Sequence, residues 1–280
     1  MTAPRVVVLL SGGGAKAAAH VGALRALAEA GLAPAHIVGT SMGAVIGACF
    51  AAGLAPDDIL GRIEQVGPKG IVRAPWAPFG GLWLRSLLKG EPLREAIGQL
   101  LPARSFEELA TPLTVTAVDL DSGNLVLFGA AGEPALLLDA LWASCALPVF
   151  YPPVLLGGRR LVDGGLRGVV PFAAAAGLAA DLVVAVDVGP GLDEADAPAA
   201  ARYPALIGLH NDTTGILMAA LTMAELARWR AEPGRPELLY VRPRVERAAT
   251  FRVDRARDYA DDGYRAAAAV LEGREVRSRT

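Results

Sequence analysis

Two strand-like runs near the start of the chain, each followed at once by a glycine-containing turn, constrain its fold more than any other feature. Residues 5–10 (RVVVLL) form a continuous aliphatic run, which is typical of a strand buried on both faces of a parallel sheet. The Ser-Gly-Gly-Gly turn at 11–14 follows, and the Ala-rich segment 15–31 predicts a helix. Residues 37–38 predict a short second strand, and residues 42–52 predict the next helix. This alternation indicates an α/β fold in which helices cover a parallel sheet.

The composition suits one large globular domain. The chain has 280 residues, of which 53% are hydrophobic and 20% are charged, so it can bury a sizeable core. No repeat or change of composition marks a boundary, and we expect a single domain over 1–280, with a core at about 5–190 and a helical extension at about 204–272. The net charge of −2 gives no electrostatic basis for binding nucleic acid.

Residues 39–43 (Gly-Thr-Ser-Met-Gly) match the Gly-x-Ser-x-Gly pattern of a nucleophile elbow. In such an elbow, a sharp turn between a strand and a helix projects the serine hydroxyl away from the sheet. The N-terminus of the following helix carries a partial positive charge and points toward the reacting group. The pattern alone is a weak signal, but its position between a predicted strand and a predicted helix supports Ser41 as a nucleophile.

Gly12, Gly13 and Gly14 follow the first strand and allow three interpretations. Their N–H groups could form an oxyanion hole, because glycine lets the backbone approach a substrate closely. The spacing Gly12-x-Gly14-x-x-Ala17 also loosely matches a dinucleotide-binding loop. That site needs an acidic residue at the end of the second strand, where Ser41 stands instead. The third interpretation is a purely structural turn.

A serine nucleophile needs a base, and the chain offers three histidines and one well-placed aspartate. His36 precedes the second strand, at the edge opposite Ser41, and is interpreted as a surface residue. His20 is interpreted as a packing or capping residue of the first helix, while His210 stays open as a base. Asp163 ends a predicted strand and is followed by two glycines that would let its carboxylate turn toward Ser41. Its usual pKa of ~3.9 would have to be tuned by burial or hydrogen bonding, and the residues alone leave its role as base or turn residue open.

The remainder of the chain predicts two hairpins, several helices and two loops. Alternating residues predict two pairs of hairpin strands, at 113–119 with 125–128 and at 154–156 with 159–162. Further predicted elements are helices at 93–101, 135–146, 205–231 and 257–271 and strands at 181–188 and 238–241. The segment 67–90, rich in Pro, Gly and Trp, predicts a loop or lid, and the segment 189–203 predicts a mobile loop.

Three motifs, in this order, resemble the signatures of patatin-like phospholipases: 12–16 (Gly-Gly-Gly-Ala-Lys), 39–43 and 163–165 (Asp-Gly-Gly). Residues 143–148 (Ala-Ser-Cys-Ala-Leu-Pro) and 152–154 (Pro-Pro-Val) resemble the segment that precedes the aspartate in that family. The resemblance covers most of the expected core and is closest to the small, single-domain bacterial members. It implies a patatin-like three-layer α/β/α sandwich with a mainly parallel central sheet.

By this resemblance, Ser41 is the nucleophile, Asp163 is its partner in a catalytic dyad, and Gly12, Gly13 and Gly14 form the oxyanion hole. The implied reaction is hydrolysis of phospholipids, lysophospholipids or other acyl esters through an acyl-enzyme intermediate. The resemblance implies no catalytic histidine, no cofactor and no metal ion.

Two residues of the first motif need separate comment. Lys16 takes the place of the family's Arg or Lys, where it would support the loop or attract a phosphate head group; an ordinary surface salt bridge is the alternative. Ala17 stands where the family pattern usually has glycine, and its methyl group bears on how closely the loop lies to the helix and on full activity.

Two other functions stay open at this point. One is an esterase or thioesterase for non-lipid substrates that uses His210 as its base. The other is a catalytically weak regulatory protein that retains the fold.

The segment 67–90 could also touch lipid. Its aromatic and basic side chains suit a membrane–water boundary, although a lid packed on the protein's own core is the alternative. The side chains concerned are Trp76, Phe79, Trp83, Leu84, Arg85 and Lys89.

The sequence also bears on location. The start of the chain has no basic segment followed by a cleavable apolar stretch, and the apolar segments are shorter than the ~20 residues of a membrane-spanning helix. Cys49 and Cys145 lie in apolar stretches, and we interpret them as buried free thiols in a reducing compartment. We therefore expect a cytoplasmic protein, with peripheral membrane contact as an addition. The sequence sets no oligomeric state.

Overall fold

The computed structural model describes residues 4–71, 86–191, 205–245 and 252–279. Within these residues a single eight-stranded sheet has helices on both faces. The strands are β1 (Val6–Leu10), β2 (Pro34–Thr40), β3 (Leu113–Asp119), β4 (Leu125–Gly129), β5 (Val154–Leu156), β6 (Arg159–Asp163), β7 (Leu182–Val186) and β8 (Glu237–Val241). The helices are α1 (Ala18–Glu29), α2 (Met42–Ala51), α3 (Pro56–Ile71), α4 (Gly90–Leu100), α5 (Leu137–Ser144), α6 (Phe172–Ala175), α7 (Ala205–Ala231) and α8 (Ala256–Arg279).

The strand order is β5-β6-β3-β2-β1-β7-β8, and β4 also pairs with β3. The central pairs β3–β2, β2–β1, β1–β7 and β7–β8 are parallel. The two predicted hairpin strands β5 and β6 pair antiparallel with each other, and β4 and β6 pair antiparallel with β3. The predicted α/β fold with a mainly parallel central sheet is therefore confirmed.

Alternate residues of β1 explain the three layers. Val6, Val8 and Leu10 pack into the larger core, which also contains buried residues of α1, α2, α3, α4, α5 and α8. Val7 and Leu9 point the other way, into a smaller core with residues of α6 and α7. Because a strand places successive side chains on opposite faces, a fully apolar β1 serves both layers.

The register of β3 positions the site. Thr40, the last residue of β2, pairs with Thr116, and Asp163, the last residue of β6, pairs with the next residue, Ala117. The two strands therefore end beside consecutive positions of one neighbour. Ser41 follows Thr40 directly, so this register brings it next to Asp163.

Two boundaries differ from the sequence prediction near the start. A 3-10 turn occupies Gly14–Ala17, and α1 begins only at Ala18, because the backbone of the glycine turn is not helical. Strand β2 begins at Pro34, three residues earlier than predicted, so the interpretation of His36 as a surface residue is wrong. His36 is buried, and its Nε2 lies 2.8 Å from the Thr114 hydroxyl of β3.

The predicted loop at 67–90 is also partly wrong. Helix α3 continues to Ile71 across a kink at Gly67, whose φ of 59° and ψ of 174° are not helical, and α4 already begins at Gly90. The proposed lipid-contacting side chains from Trp76 to Arg85 lie outside the described residues, whereas Lys89 is exposed directly before α4. Most of the predicted mobile loop, at 192–204, lies outside them too.

Candidate active site

Ser41 lies between β2 and α2 in a strained turn. Its φ of 53° and ψ of −133° are values that residues other than glycine rarely adopt. Such strain costs on the order of 1–3 kcal/mol and is concentrated at functional sites. Ser41 is the N-cap of α2, and its carbonyl accepts the N–H of Ala44 at 2.9 Å. The turn therefore presents the hydroxyl at a helix N-terminus, where developing negative charge is stabilised.

The two glycines of the Ser41 turn are required by space. A Cβ atom on Gly39 would lie 2.4 Å from the Cα atom of Ala44. A Cβ atom on Gly43 would lie 2.3 Å from the carbonyl oxygen of Ser11. Both distances are far below any tolerated carbon contact, so the Gly-x-Ser-x-Gly spacing reflects how tightly the elbow packs on itself and on the end of β1.

The glycine loop after β1 lies directly beside the nucleophile. A Cβ atom on Gly12 would be 3.2 Å from the Ser41 Cβ atom, and Gly14 lines the same cavity as Ser41. The N–H of Gly12 donates to the carbonyl oxygen of Val169 at 3.1 Å. Among the described residues, the N–H groups of Gly13 and Gly14 have no hydrogen-bond acceptor. Within the described residues, the N–H groups of two of the three predicted oxyanion-hole glycines are therefore unengaged, and that of the third holds the loop in place.

Asp163 is buried at the end of β6 and faces Ser41. The Ser41 hydroxyl donates to Asp163 Oδ2 at 2.7 Å. The N–H of Gly165 donates to Asp163 Oδ1 at 2.8 Å, which fixes the orientation of the carboxylate. The structure thus brings together the two residues that the sequence paired, although they are 122 positions apart.

The surroundings of Asp163 make it a better base than an ordinary aspartate. Burial raises the pKa of its carboxyl from 3.8 to about 6, while the hydrogen bonds from Gly165 and Ser41 act in the opposite direction. The group is therefore mostly ionised at pH 7, and its affinity for a proton is well above that of a solvated carboxylate.

An apolar cavity opens beside Ser41 and Asp163, and we call it the Ser41 pocket. Both residues are part of its wall. Aliphatic side chains from α2, α3, α4 and the segment after α5 form most of the remaining wall, including Ile46, Ile63, Val66, Leu93, Leu100 and Leu147. An apolar wall of this kind suits an aliphatic chain.

The histidines lie apart from this chemistry. His210 is exposed on α7, and its Nε2 is 3.5 Å from the hydroxyl of Thr214 on the same helix. His20 is fully buried and donates its Nε2 proton to the Ser11 carbonyl at 2.8 Å, which confirms its interpretation as a packing residue. Burial lowers the pKa of His20 to about 4, so it is neutral at pH 7. In the part of the chain that the structure describes, no histidine lines the Ser41 pocket.

Lys16 and Ala17 end the 3-10 turn that follows the glycine loop. Lys16 is only 4% exposed, so it does not lie on the surface as the salt-bridge alternative requires. Ala17 is buried and lines the Ser41 pocket, so its methyl group is part of the pocket wall.

Three further observations concern the rest of the described residues. Cys49 and Cys145 are buried free thiols, as predicted. In these residues, no group of three or more His, Cys, Asp or Glu side chains is arranged to hold a metal ion. None of their helices combines the length and apolar character needed to cross a bilayer.

The walls of the Ser41 pocket were missed by the sequence analysis. Helix α3, which supplies Ile63 and Val66, drew no prediction before Gly67. The signal was present, because Ile59, Leu60, Ile63 and Val66 recur at the spacing of one helix face.

Comparisons with known proteins identify a family and several relatives of this chain. The family model for patatin-like phospholipases matches residues 8–176. An uncharacterised NTE family protein of Mycobacterium tuberculosis is 34% identical over 199 residues, which cover 69% of this chain and 52% of that protein. Patatin-like phospholipase domain-containing protein 7 of Rattus norvegicus is 30% identical over 202 residues, which cover 70% of this chain and 14% of that protein. The solved structure of VipD from Legionella pneumophila matches with a TM-score of 0.45 and 14% identity, covering 96% of this chain and 67% of that one.

The matched part of this chain corresponds to about half of the mycobacterial protein and to a much smaller share of the rat protein. The family match itself extends over more than half of this chain, from β1 to the end of α6, and it includes both Ser41 and Asp163. This chain therefore belongs to the patatin-like phospholipase family.

Proposed function

We propose that this chain is a serine hydrolase that cleaves carboxylic esters of lipids through a dyad of Ser41 and Asp163. The observation that carries the proposal is the 2.7 Å hydrogen bond from the Ser41 hydroxyl to the Asp163 carboxylate in the wall of an apolar pocket. Family membership supports lipids as the substrate class.

In the first half of the proposed reaction, the Asp163 carboxylate accepts the hydroxyl proton while Ser41 Oγ bonds to the ester carbonyl carbon. The carbonyl oxygen becomes an oxyanion. When the tetrahedral intermediate collapses, the bond to the alcohol oxygen breaks, and that oxygen takes the proton from Asp163. The acyl group is left on Ser41.

The oxyanion is stabilised in this proposal by the N–H groups of Gly13 and Gly14, assisted by the N-terminus of α2. These donors are held in place before substrate binds, and such preorganisation contributes about 10²–10³-fold per donor in well-studied hydrolases. Gly12 contributes by close approach to Ser41 and by anchoring the loop on Val169. Lys16 is buried in the 3-10 turn that follows the loop, and in this proposal it supports the loop conformation.

In the second half, a water molecule attacks the acyl-enzyme. Asp163 accepts a proton from the water as its oxygen bonds to the acyl carbon, and the same N–H groups stabilise the second oxyanion. Collapse of this intermediate breaks the bond to Ser41 Oγ and returns the proton from Asp163 to Ser41. The fatty acid is released, and the starting state is restored.

The acyl chain would lie in the Ser41 pocket. Each methylene group transferred from water to an apolar environment contributes about 0.8 kcal/mol. The proposal therefore predicts that activity on simple esters rises with acyl-chain length until the pocket is filled.

The test is a series of p-nitrophenyl esters with acyl chains of increasing length, assayed with the wild-type protein and two matched variants. Ser41→Ala is expected to lose at least about 10³-fold in kcat/KM, whereas Ser122→Ala, which changes an exposed turn serine, should match the wild type. Equal activity of Ser41→Ala and the wild type would refute Ser41 as nucleophile. Absence of wild-type activity on every ester would favour a regulatory protein that retains the fold.

A further inference from the structure

Ser41 makes a second contact that the reaction above does not use. Its backbone N–H donates to the hydroxyl oxygen of Ser144 at 2.8 Å. Ser144 is the last residue of α5, is fully buried, and lies 103 positions away in the sequence. The contact therefore links α5 directly to the turn that carries the nucleophile.

The Ser41 N–H needs such a partner because of its local geometry. Ser41 has a positive φ and lies between the last residue of β2 and the first of α2. Its N–H therefore takes part in neither the hydrogen bonds between strands nor those within the helix. A buried N–H without an acceptor is strongly unfavourable, and the chain would relax the turn to satisfy it. The Ser144 hydroxyl supplies an acceptor at the position where the strained turn needs one.

The same short segment also holds the other half of the dyad. The backbone N–H of Asp163 donates to the carbonyl oxygen of Ala146 at 3.1 Å. Ser144 and Ala146 are two residues apart, so one stretch of chain contacts both members of the dyad. It thereby sets the distance between the two strand ends as well as the conformation of the turn.

We infer that Ser144 is a positioning residue, which holds Ser41 in the strained conformation that directs its hydroxyl at Asp163. This inference rests on the proposed function, because positioning matters only if Ser41 is the nucleophile. Ser144 touches neither the ester nor the transferred proton. Its loss should slow the chemical step and leave substrate binding in the Ser41 pocket unchanged.

The test measures inactivation by an alkyl fluorophosphonate, which reacts with an activated serine. Wild-type protein is compared with Ser144→Ala, which removes the acceptor, and with Ser144→Cys, which keeps the size but offers a weaker sulfur acceptor. Thr222→Val is the matched control, because it removes a buried hydroxyl whose bond among the described residues is within α7, to the Met218 carbonyl oxygen. The rate constant of inactivation, the inhibition constant and the final labelled fraction are recorded for each protein.

We expect Ser144→Ala to lower the rate constant of inactivation by about 10- to 100-fold, with an unchanged inhibition constant and full final labelling. The rate constant of Ser144→Cys should lie between those of the wild type and Ser144→Ala. That of Thr222→Val should match the wild type. A purely structural role would instead reduce the labelled fraction and leave the rate constant of the folded molecules unchanged.

Each other outcome is decisive. If either folded Ser144 variant reacts at the wild-type rate, the inference is overturned while the proposed function stands. If Ser144→Ala does not fold, Ser144→Cys alone carries this comparison. If wild-type protein is not labelled at Ser41, the proposed function fails, and the inference fails with it.

Discussion

Two buried aspartates, Asp163 and Asp187, stand at the ends of strands β6 and β7 and share one local geometry. Each accepts, at 2.8 Å, the N–H of a glycine two residues later, Gly165 or Gly189. The other carboxylate oxygen has different partners. That of Asp187 accepts bonds from the Arg242 guanidinium at 2.6 Å and from the Tyr240 hydroxyl, whereas that of Asp163 meets the Ser41 hydroxyl.

The difference shows that the partner, and not the turn, decides what a buried carboxylate does. Asp187 is neutralised by a cation and serves as a fixed ion pair between β7 and the segment after β8. The partner of Asp163 Oδ2 is instead the neutral hydroxyl of Ser41. Burial raises the pKa of Asp163 to about 6. The Asp187 carboxylate therefore stabilises the fold, whereas the Asp163 carboxylate can accept a proton.

The largest expected effect separates the two aspartates by activity. Asp163→Asn keeps an oxygen for the Gly165 N–H but cannot accept a proton, so kcat/KM for an acyl ester should fall by about 10³-fold or more. Asp187→Asn should stay within about tenfold of the wild type per folded molecule, since Asp187 takes no part in proton transfer. Steady-state assays of both purified variants test this contrast. Similar losses in the two variants would contradict it.

Asp163→Asn should lower the activity but raise the free energy of unfolding at neutral pH. The pKa of Asp163 is raised in the folded state, so the folded protein holds this proton more tightly than the unfolded chain between about pH 4 and pH 6. Its contribution to the free energy of unfolding is therefore present below about pH 4 and is lost as the pH rises through 6. At pH 7.5 the free energy of unfolding is lower by about 3 kcal/mol because of this loss, and Asp163→Asn should recover that amount.

Asp187→Asn should instead lose about 3 kcal/mol at pH 7.5, because it removes the buried carboxylate that the Arg242 guanidinium contacts at 2.6 Å. Urea unfolding at pH 7.5 and at pH 4 measures both effects. The gain from Asp163→Asn should vanish at pH 4. Destabilisation by Asp163→Asn at pH 7.5 would show that its charge is balanced by a partner, as that of Asp187 is.

The pH dependence of the rate sharpens the comparison further. Only the ionised form of Asp163 can accept the Ser41 proton, so kcat/KM should rise with pH and level off above about pH 6. Below the midpoint the rate should fall about tenfold per pH unit. Asp187→Asn should leave this midpoint in place. A midpoint near the usual aspartate value of ~3.9 would mean that burial does not tune Asp163.

The smallest effect tests the role of the second donor to Asp187. Tyr240→Phe removes one hydroxyl and leaves the Arg242 ion pair, so the free energy of unfolding should fall by about 1 kcal/mol. The activity on acyl esters should not change. A large loss of activity would instead show that the contacts of Asp187 with Tyr240 and Arg242 affect the Ser41–Asp163 site.

The local sequence pattern, without the motif resemblance, could not have separated the two aspartates. Both stand two residues before a glycine at the end of a strand, and the Arg242 that neutralises Asp187 is 55 positions away from it. Asp163 was identified through motif resemblance, and its location at a strand end beside Ser41 agrees with that prediction. The alternation of strands and helices was likewise predictable, because it depends on local runs of apolar residues.

Two differences from the sequence prediction, at His36 and at Gly12, arise from packing between distant segments. His36 is buried because β2 begins early enough for it to reach Thr114 of β3. The N–H of Gly12 is engaged by Val169, far along the chain, so a glycine motif alone overstates the number of free donors. Such contacts become visible only when the strands are in register.

The most direct test of the central claim is to trap the acyl-enzyme. Wild-type protein and Asp163→Asn are mixed with an excess of a p-nitrophenyl ester, quenched in acid within milliseconds to seconds, and digested for peptide mass spectrometry. The account predicts that the wild type carries the acyl mass on the peptide containing Ser41, and that Asp163→Asn forms this adduct at least about 10³-fold more slowly. Turnover with the acyl group on another residue, or equally fast acylation of both proteins, would contradict the Ser41–Asp163 dyad.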